Sequence, residues 1–331
     1  MKRLVQWVVL VTLPALFAVL CVVGYYAWGK ISYAGYSCGS FAAMDDQIGW
    51  VLAPDATSRL GGRAPFGAGP PWFHSTAHTD ANGFRAAAPG GDTPTGGILA
   101  VGDSWTFGFG VDHADAYPAQ LATQSGMPVV TVASPAYSSA QALLLAERWA
   151  PRPRAIVYLD NGFRNRAACA GRRQPETILK PCYWQALGAA EAELVLPPPG
   201  RVTRASAMGI QPGGVLGAGE MGWSYFLWAR PLALAHQTLV RLGVATAAGV
   251  PVVMLDPGDI YADLMDRLAP AEAALIHRIG GAEWNRAVAE PTSTRPPEQA
   301  HVPHDGHYGP GMNKLIAGLV TDTLRSRGIG G

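Results

Sequence analysis

The chain has 331 residues, 49% of them apolar, which is enough to bury one sizeable core and still carry additional segments. Its 25 basic and 24 acidic residues leave a formal net charge of +1 and are interspersed along the chain, so there is no electrostatic footprint for a nucleic-acid partner.

The first compositional break is at the N-terminus. After "MKR", the run "LVQWVVLVTLPALFAVLCVVGYYAW" carries no charge, and a bilayer core needs roughly 20 such residues. A secretory signal has a shorter apolar region and a small-residue cleavage site, neither of which is found here. Leu20 before Cys21 also fits poorly with a lipoprotein signal. Lys2 and Arg3 on one side and Tyr25, Tyr26 and Trp28 on the other predict a single span with its N-terminus inside. The expected organisation is a transmembrane anchor over 1–30, an irregular extracytoplasmic lead-in over 31–95 rich in Gly, Pro, Ala, Asp and Thr, and an α/β domain over 96–331 with an insertion at 161–225.

From residue 98 the pattern becomes regular. "GILAV" reads as a buried strand, "AYPAQLATQS" as a helix, "PVVTVA" as a strand, "SAQALLLAERWA" as an amphipathic helix and "RAIVYLD" as a strand. After the insertion come a helix over 229–249, the strand "VPVVMLDP", helical stretches near 259–279 and a final helix over 311–327. Strands that are apolar throughout and alternate with helices imply a parallel sheet covered on both faces. Within the insertion, Cys169 and Cys182 bound "CAGRRQPETILKPC". In an oxidising compartment a disulfide there would stabilise the loop by about 3 kcal/mol; two thiols without nearby histidines make a poor zinc site.

In open parallel sheets, ligands bind beyond the carboxyl ends of the strands. "GDSWTFGFG" begins where "GILAV" stops, which puts Ser104 on that edge. Ser104 is a candidate nucleophile; the alternative is that Asp103 or Ser104 caps a following helix. A serine hydroxyl needs a base, itself oriented by a third group. His307 in "HVPHDGHYGPGMNKLIAG" has Asp305 two residues earlier, with His301 and His304 as rivals. The same tract has ligand chemistry suited to a metal. Trp105, Phe107 and Phe109 read first as core, and Asp256 reads as a turn cap before Pro257 with a second acid as the alternative.

"GDSWTFGFGV" followed far downstream by "DGHYGPGMNKLIA" resembles the first and last motif blocks of the GDSL/SGNH hydrolase superfamily. "DDQIGWVLAP" and "HTDANGFR" are similar to the approach segment of its exported bacterial members. The resemblance implies a flavodoxin-like three-layer α/β/α sandwich, a catalytic triad of Ser104, Asp305 and His307, and no metal or organic cofactor. It also implies an oxyanion hole built from the Ser104 N–H, a backbone N–H after the second strand and an asparagine side chain after the third. In the second block, "VASPAYSSAQ", Ala136 stands where the family has glycine. The third, "YLDNGFRNR", departs from G-x-N-D. Asn165 is the first candidate donor, with Arg166 in the aspartate position, and Asn161 is the rival. Aligned strictly on Gly162, the block puts Arg164 in the asparagine position instead. The resemblance and the anchor together lead to the expectation of a serine esterase or O-acetyltransferase in the cytoplasmic membrane, acting outside it on an acylated carbohydrate or another small ester. The departures keep open a second expectation, a catalytically silent accessory subunit of a membrane-protein complex.

Overall fold

The computed structural model describes residues 12–21, 23–24, 35–37, 41–63, 72–148, 152–161, 181–184, 192–197, 238, 249–266 and 268–330. In chain order the strands are β1 (Gly35–Ser37), β2 (Ala42–Asp45), β3 (Gly49–Leu52), β4 (Thr57–Arg63), β5 (Phe73–Thr79), β6 (Arg85–Ala86), β7 (Ile98–Gly102), β8 (Val129–Ala133), β9 (Ala155–Leu159), β10 (Cys182–Trp184), β11 (Glu193–Val195), β12 (Val252–Leu255) and β13 (Ile276–Ile279). The helices that position the site are α1 (Ser104–Phe107), α2 (Tyr117–Ser125), α3 (Ser139–Arg148) and α4 (Pro310–Ser326).

Nine strands form one sheet in the order β1-β4-β5-β6-β8-β7-β9-β12-β13. From β8 to β13 every pairing is parallel. Counted among themselves these five strands run 2-1-3-4-5, a doubly wound order that binds ligands where the winding reverses, between the first and third strands. Here that point lies between β7 and β9. Both are buried along their whole length, because each face of the sheet is covered. On one face Leu99, Val101, Val132 and Tyr158 pack with Ala142 and Leu143 of α3. On the other, Ile98, Ala100, Val157 and Leu255 pack with Tyr117 and Leu121 of α2 and with Ile316, Val320 and Leu324 of α4. The three layers follow from this alternation of faces along fully apolar strands.

Among its described residues, the segment expected to be irregular contains strands. Within 31–95 lie β1 to β6, and β4, β5 and β6 extend the parallel sheet by antiparallel pairing, joined to it through Arg85 opposite Thr131. A third apolar cluster, including Leu60, Phe73, Ala77, Phe107, Phe109 and Val302, seals this extension against the loops at the sheet's edge. The expected helical stretch near 259–279 divides into two short helices, Ala262–Met265 and Pro270–Ala273, followed by β13. The helix expected over 229–249 lies almost wholly outside the described residues, as does most of the insertion, where β10 and β11 form a short hairpin.

Of the expected anchor, residues 12–21 and 23–24 are helical, and Leu13, Leu16, Phe17, Val19, Leu20 and Val23 are all exposed. Among the described residues no helix is long and apolar enough to cross a membrane. The rest of the expected span falls outside them.

Candidate active site

Strand β7 ends at Gly102, and the chain turns at once into α1. The turn needs glycine, since a Cβ at this position would lie 2.1 Å from the Thr106 hydroxyl. Asp103 is the cap of α1, accepting a hydrogen bond from the Trp105 N–H at 3.0 Å. The capping role open to either residue is therefore filled by Asp103, which leaves the Ser104 hydroxyl to other partners.

That partner is His307. Its Nε2 lies 2.8 Å from Ser104 Oγ, across 203 residues of sequence. Its Nδ1 is in hydrogen-bond contact with Asp305 Oδ1, and the same oxygen accepts from the His307 N–H at 3.1 Å. The carboxylate is 2% exposed and the imidazole 19%. An imidazole whose Nδ1–H is held by a carboxylate presents its other nitrogen as an acceptor, so it can take the serine proton.

A short loop sets this geometry. The Val302 N–H donates to the His307 carbonyl at 2.8 Å, and the Asp305 and Gly306 N–H groups both return to the Val302 carbonyl. Left-handed torsions at His304 (φ 59) and Gly306 (φ 88) bring the chain back on itself. Asn313, fully buried in α4, fastens the loop to the body of the domain. Its Nδ2 donates to the Tyr308 and Gly309 carbonyls at 2.8 and 3.0 Å, and its Oδ1 accepts from the Tyr117 N–H at 3.0 Å. The imidazole packs on two rings, Trp105 at 4.7 Å and Phe109 at 5.2 Å between centroids. Phe107 and Phe109 are buried in the apolar core, as first read; Trp105, also touching Tyr308, is a wall for the histidine. Burial pushes the phenols of Tyr308 and Tyr117 above their ordinary range, with the Asp103 carboxylate acting in the same direction, so both remain neutral.

Two of the other expected residues share the same edge of the sheet. Ala136 follows β8 and Asn161 follows β9, the two neighbours of β7. Ala136 adopts φ 64, the left-handed conformation that glycine would take without strain. The departure from the glycine pattern is thus accommodated in the backbone. Asn161 is half-buried, while Asn165, Arg164 and Arg166 lie outside the described residues. Cys182 is buried and disulfide-bonded, and Cys169 lies outside the described residues.

His301 Nδ1 is 3.1 Å from the Gly306 carbonyl oxygen, and His304 packs on Trp72. It is His307, and neither of these two, that meets Ser104, and among the described residues no His, Cys, Asp and Glu cluster is arranged to hold a metal ion. Asp256 caps a turn, accepting from the Ile260 and Tyr261 N–H groups at 3.0 and 2.9 Å. Burial pushes its carboxyl above the usual range in spite of those bonds and the nearby Arg278. Reading the sequence alone misses Asn313 and the ring pair around His307. Their signals were an amide inside the apolar stripe of the last helix and aromatic residues at one and five positions after the serine.

The chain matches no family model and no curated protein. Among solved structures it aligns with a carbohydrate esterase at 11% identity over 72% of this chain and 67% of that one, with a TM-score of 0.38. It also aligns with a carbohydrate esterase family 2 enzyme bearing a carbohydrate-binding domain, from Myceliophthora fergusii, at 12% identity over 81% and 75%, with a TM-score of 0.40. A third alignment is with an acetyl xylan esterase from the rumen bacterium Butyrivibrio proteoclasticus, at 9% identity over 72% and 65%, with a TM-score of 0.36. Likenesses this distant carry no weight beside the geometry of the chain itself.

Proposed function

We propose that the chain is a serine esterase or O-acyltransferase of GDSL/SGNH type, held at the outer face of a cytoplasmic membrane by its N-terminal apolar helix. The observation that carries the reading is the contact chain from Ser104 Oγ through His307 to Asp305, assembled from segments 203 residues apart. Fixing three such side chains in one line has little structural purpose and large chemical use.

In this mechanism Ser104 Oγ attacks the carbonyl carbon of an ester while its proton passes to His307 Nε2. Asp305 holds the imidazole in the tautomer that can accept that proton and stabilises the imidazolium. The oxyanion is received by backbone N–H groups of Ser104 and Ala136 and by an asparagine side chain, Asn165 or Asn161, each such donor being worth about 3 kcal/mol of barrier lowering. His307 then returns its proton to the departing alcohol, leaving an acyl group on Ser104. Water as the second acceptor gives an esterase; a sugar hydroxyl gives a transferase. The substrate is an acylated carbohydrate of the cell envelope or an exopolysaccharide, a reading supported by the motif resemblance and by the exposed apolar helix over 12–21. The accessory-subunit alternative drew on the missing G-x-N-D, the alanine in the second block and the apolar anchor, and the left-handed torsion of Ala136 weakens the second of these grounds.

The test is turnover of p-nitrophenyl acetate and covalent labelling by a fluorophosphonate, in the full chain and in Ser104→Ala. The expected result is labelling and turnover in the first and neither in the second. Equal behaviour of the two removes the serine from the chemistry.

A further inference from the structure

We infer that the segment preceding β7 is a working part of the active site, and that Arg85 is the positioning residue through which it sets the nucleophile. The inference rests on the serine reading above.

Arg85 lies in β6, the strand that splices the antiparallel extension onto β8. It is 4% exposed. Nη1 donates to the carbonyls of Phe107 and Gly108, the latter at 2.6 Å, and Nη2 donates to Val111 at 2.6 Å. The guanidinium carbon lies 4.6 Å from the centroid of the Phe107 ring. The three carbonyls belong to the last residue of α1 and to the turn that follows it, where Gly108 (φ 76) and Gly110 (φ 87) are left-handed. A Cβ at Gly108, which is left-handed, would come within 2.5 Å of the Ala116 Cβ and 2.9 Å of Arg85 Nη1, so the turn packed here requires glycine.

The same turn grips both halves of the proposed nucleophile–base pair. The N–H groups of Gly108 and Phe109 donate to the Ser104 carbonyl at 3.1 and 2.9 Å, and the Phe109 ring packs on His307. A shift of the turn would therefore move the serine backbone and the imidazole wall together. Burying a guanidinium against carbonyl dipoles is a poor way merely to fill a sheet junction, since an apolar side chain of similar size would cost less. Burial lowers its pKa to about 10, with the Asp112 carboxylate acting the other way, and it stays cationic at neutral pH. A planar fork reaching three separate acceptors is geometry that lysine cannot copy.

The preceding segment also reaches the other two loops of the site. The Tyr137 hydroxyl donates to the Trp50 carbonyl at 2.9 Å, beside the Ala136 turn, and Trp72 packs on His304 at 5.1 Å. Arg85 is the contact among these that acts on the serine's own turn.

The experiment compares wild type, Arg85→Lys and Arg85→Gln as full chains in detergent. Active sites are titrated with a fluorophosphonate, and p-nitrophenyl acetate turnover is expressed per titrated site. A positioning role predicts kcat per site lower by about 10- to 100-fold, phosphonylation slowed in step, KM within about 3-fold, and an unchanged circular dichroism spectrum. Fewer titratable sites, each turning over at the wild-type rate, would mean a merely structural role and overturns the inference. If neither variant folds, Phe107→Leu takes away the ring beneath the guanidinium and keeps the carbonyls. Its expected loss is about 3- to 10-fold per site, and a wild-type rate per site overturns the inference in the same way. A wild type that takes no label sinks the serine reading and this inference with it; a labelled wild type with unaffected variants sinks the inference alone.

Discussion

Ala136→Gly separates two accounts of the second motif block. At φ 64 the alanine Cβ crowds its own carbonyl, a cost of about 1–2 kcal/mol for an L-residue in the left-handed region. Glycine removes that cost but brings more freedom to the unfolded chain, which takes back about 0.5–1 kcal/mol. The net expectation is a protein more stable by about 0.5–1 kcal/mol. The backbone N–H is kept in place, so kcat for p-nitrophenyl acetate should stay within about 2-fold of wild type, since no donor is lost. Ala136→Val is the opposing control. A β-branched side chain in this conformation is a severe outlier, so stability should fall by about 1–3 kcal/mol and kcat should fall with it as the N–H is driven off its position. Urea unfolding of the full chain followed by tryptophan fluorescence gives the stabilities. A glycine variant less stable than wild type, together with an unaffected valine variant, would refute the left-handed assignment and the oxyanion role built on it.

Asp305→Asn should lower kcat by about 10³- to 10⁴-fold with the fold intact, because the amide cannot hold the required imidazole tautomer; a loss below about tenfold in steady-state assays would remove Asp305 from the relay. Asn313→Ala should cost about 2–4 kcal/mol in urea unfolding, since it strips the buried Tyr117 N–H and the Tyr308 and Gly309 carbonyls of a partner; a change under about 0.5 kcal/mol contradicts the fastening role. Burial pushes the Asp45 carboxyl up, but Arg148 and the Ile48 and Gln47 N–H groups outweigh it and leave its pKa below 3.8. Asp45 therefore contributes stability above that pH and loses it as the pH falls through the lowered value. Asp45→Asn should cost about 0.5–1 kcal/mol near neutrality, less in 1 M salt because the pair is partly exposed, and the difference from wild type should shrink in acid. Mass spectrometry without reductant should find Cys169 joined to Cys182; two free thiols there would refute the pairing.

The parallel core was legible because its strands are apolar on both faces. β7 and β9 are continuous runs of buried residues, and they sit within a residue or two of where the pattern put them. The meeting of Ser104 with His307 and Asp305 could be anticipated because a serine after a strand and a histidine before the last helix are distinctive chemistry at topologically defined points. The antiparallel extension was not. In β5 buried and exposed positions do alternate, but the inward positions after Phe73 are Ser75, Ala77 and Thr79, whose small or polar side chains erase the apolar period. In β13, His277 and Arg278 separate the two buried isoleucines at the margin of the sheet, and the short strand reads like part of a helix. Arg85 stood in the quoted "HTDANGFR", but a lone cation in a polar loop gives no hint that three carbonyls will surround it.

Ser104 and His307 meet across 203 residues, with β8, β9, β12 and β13 all made between them. A nascent chain thus carries an inert hydroxyl until the last of those strands has docked and the following loop has closed over it. The Ser104–His307 contact is itself a product of completed folding.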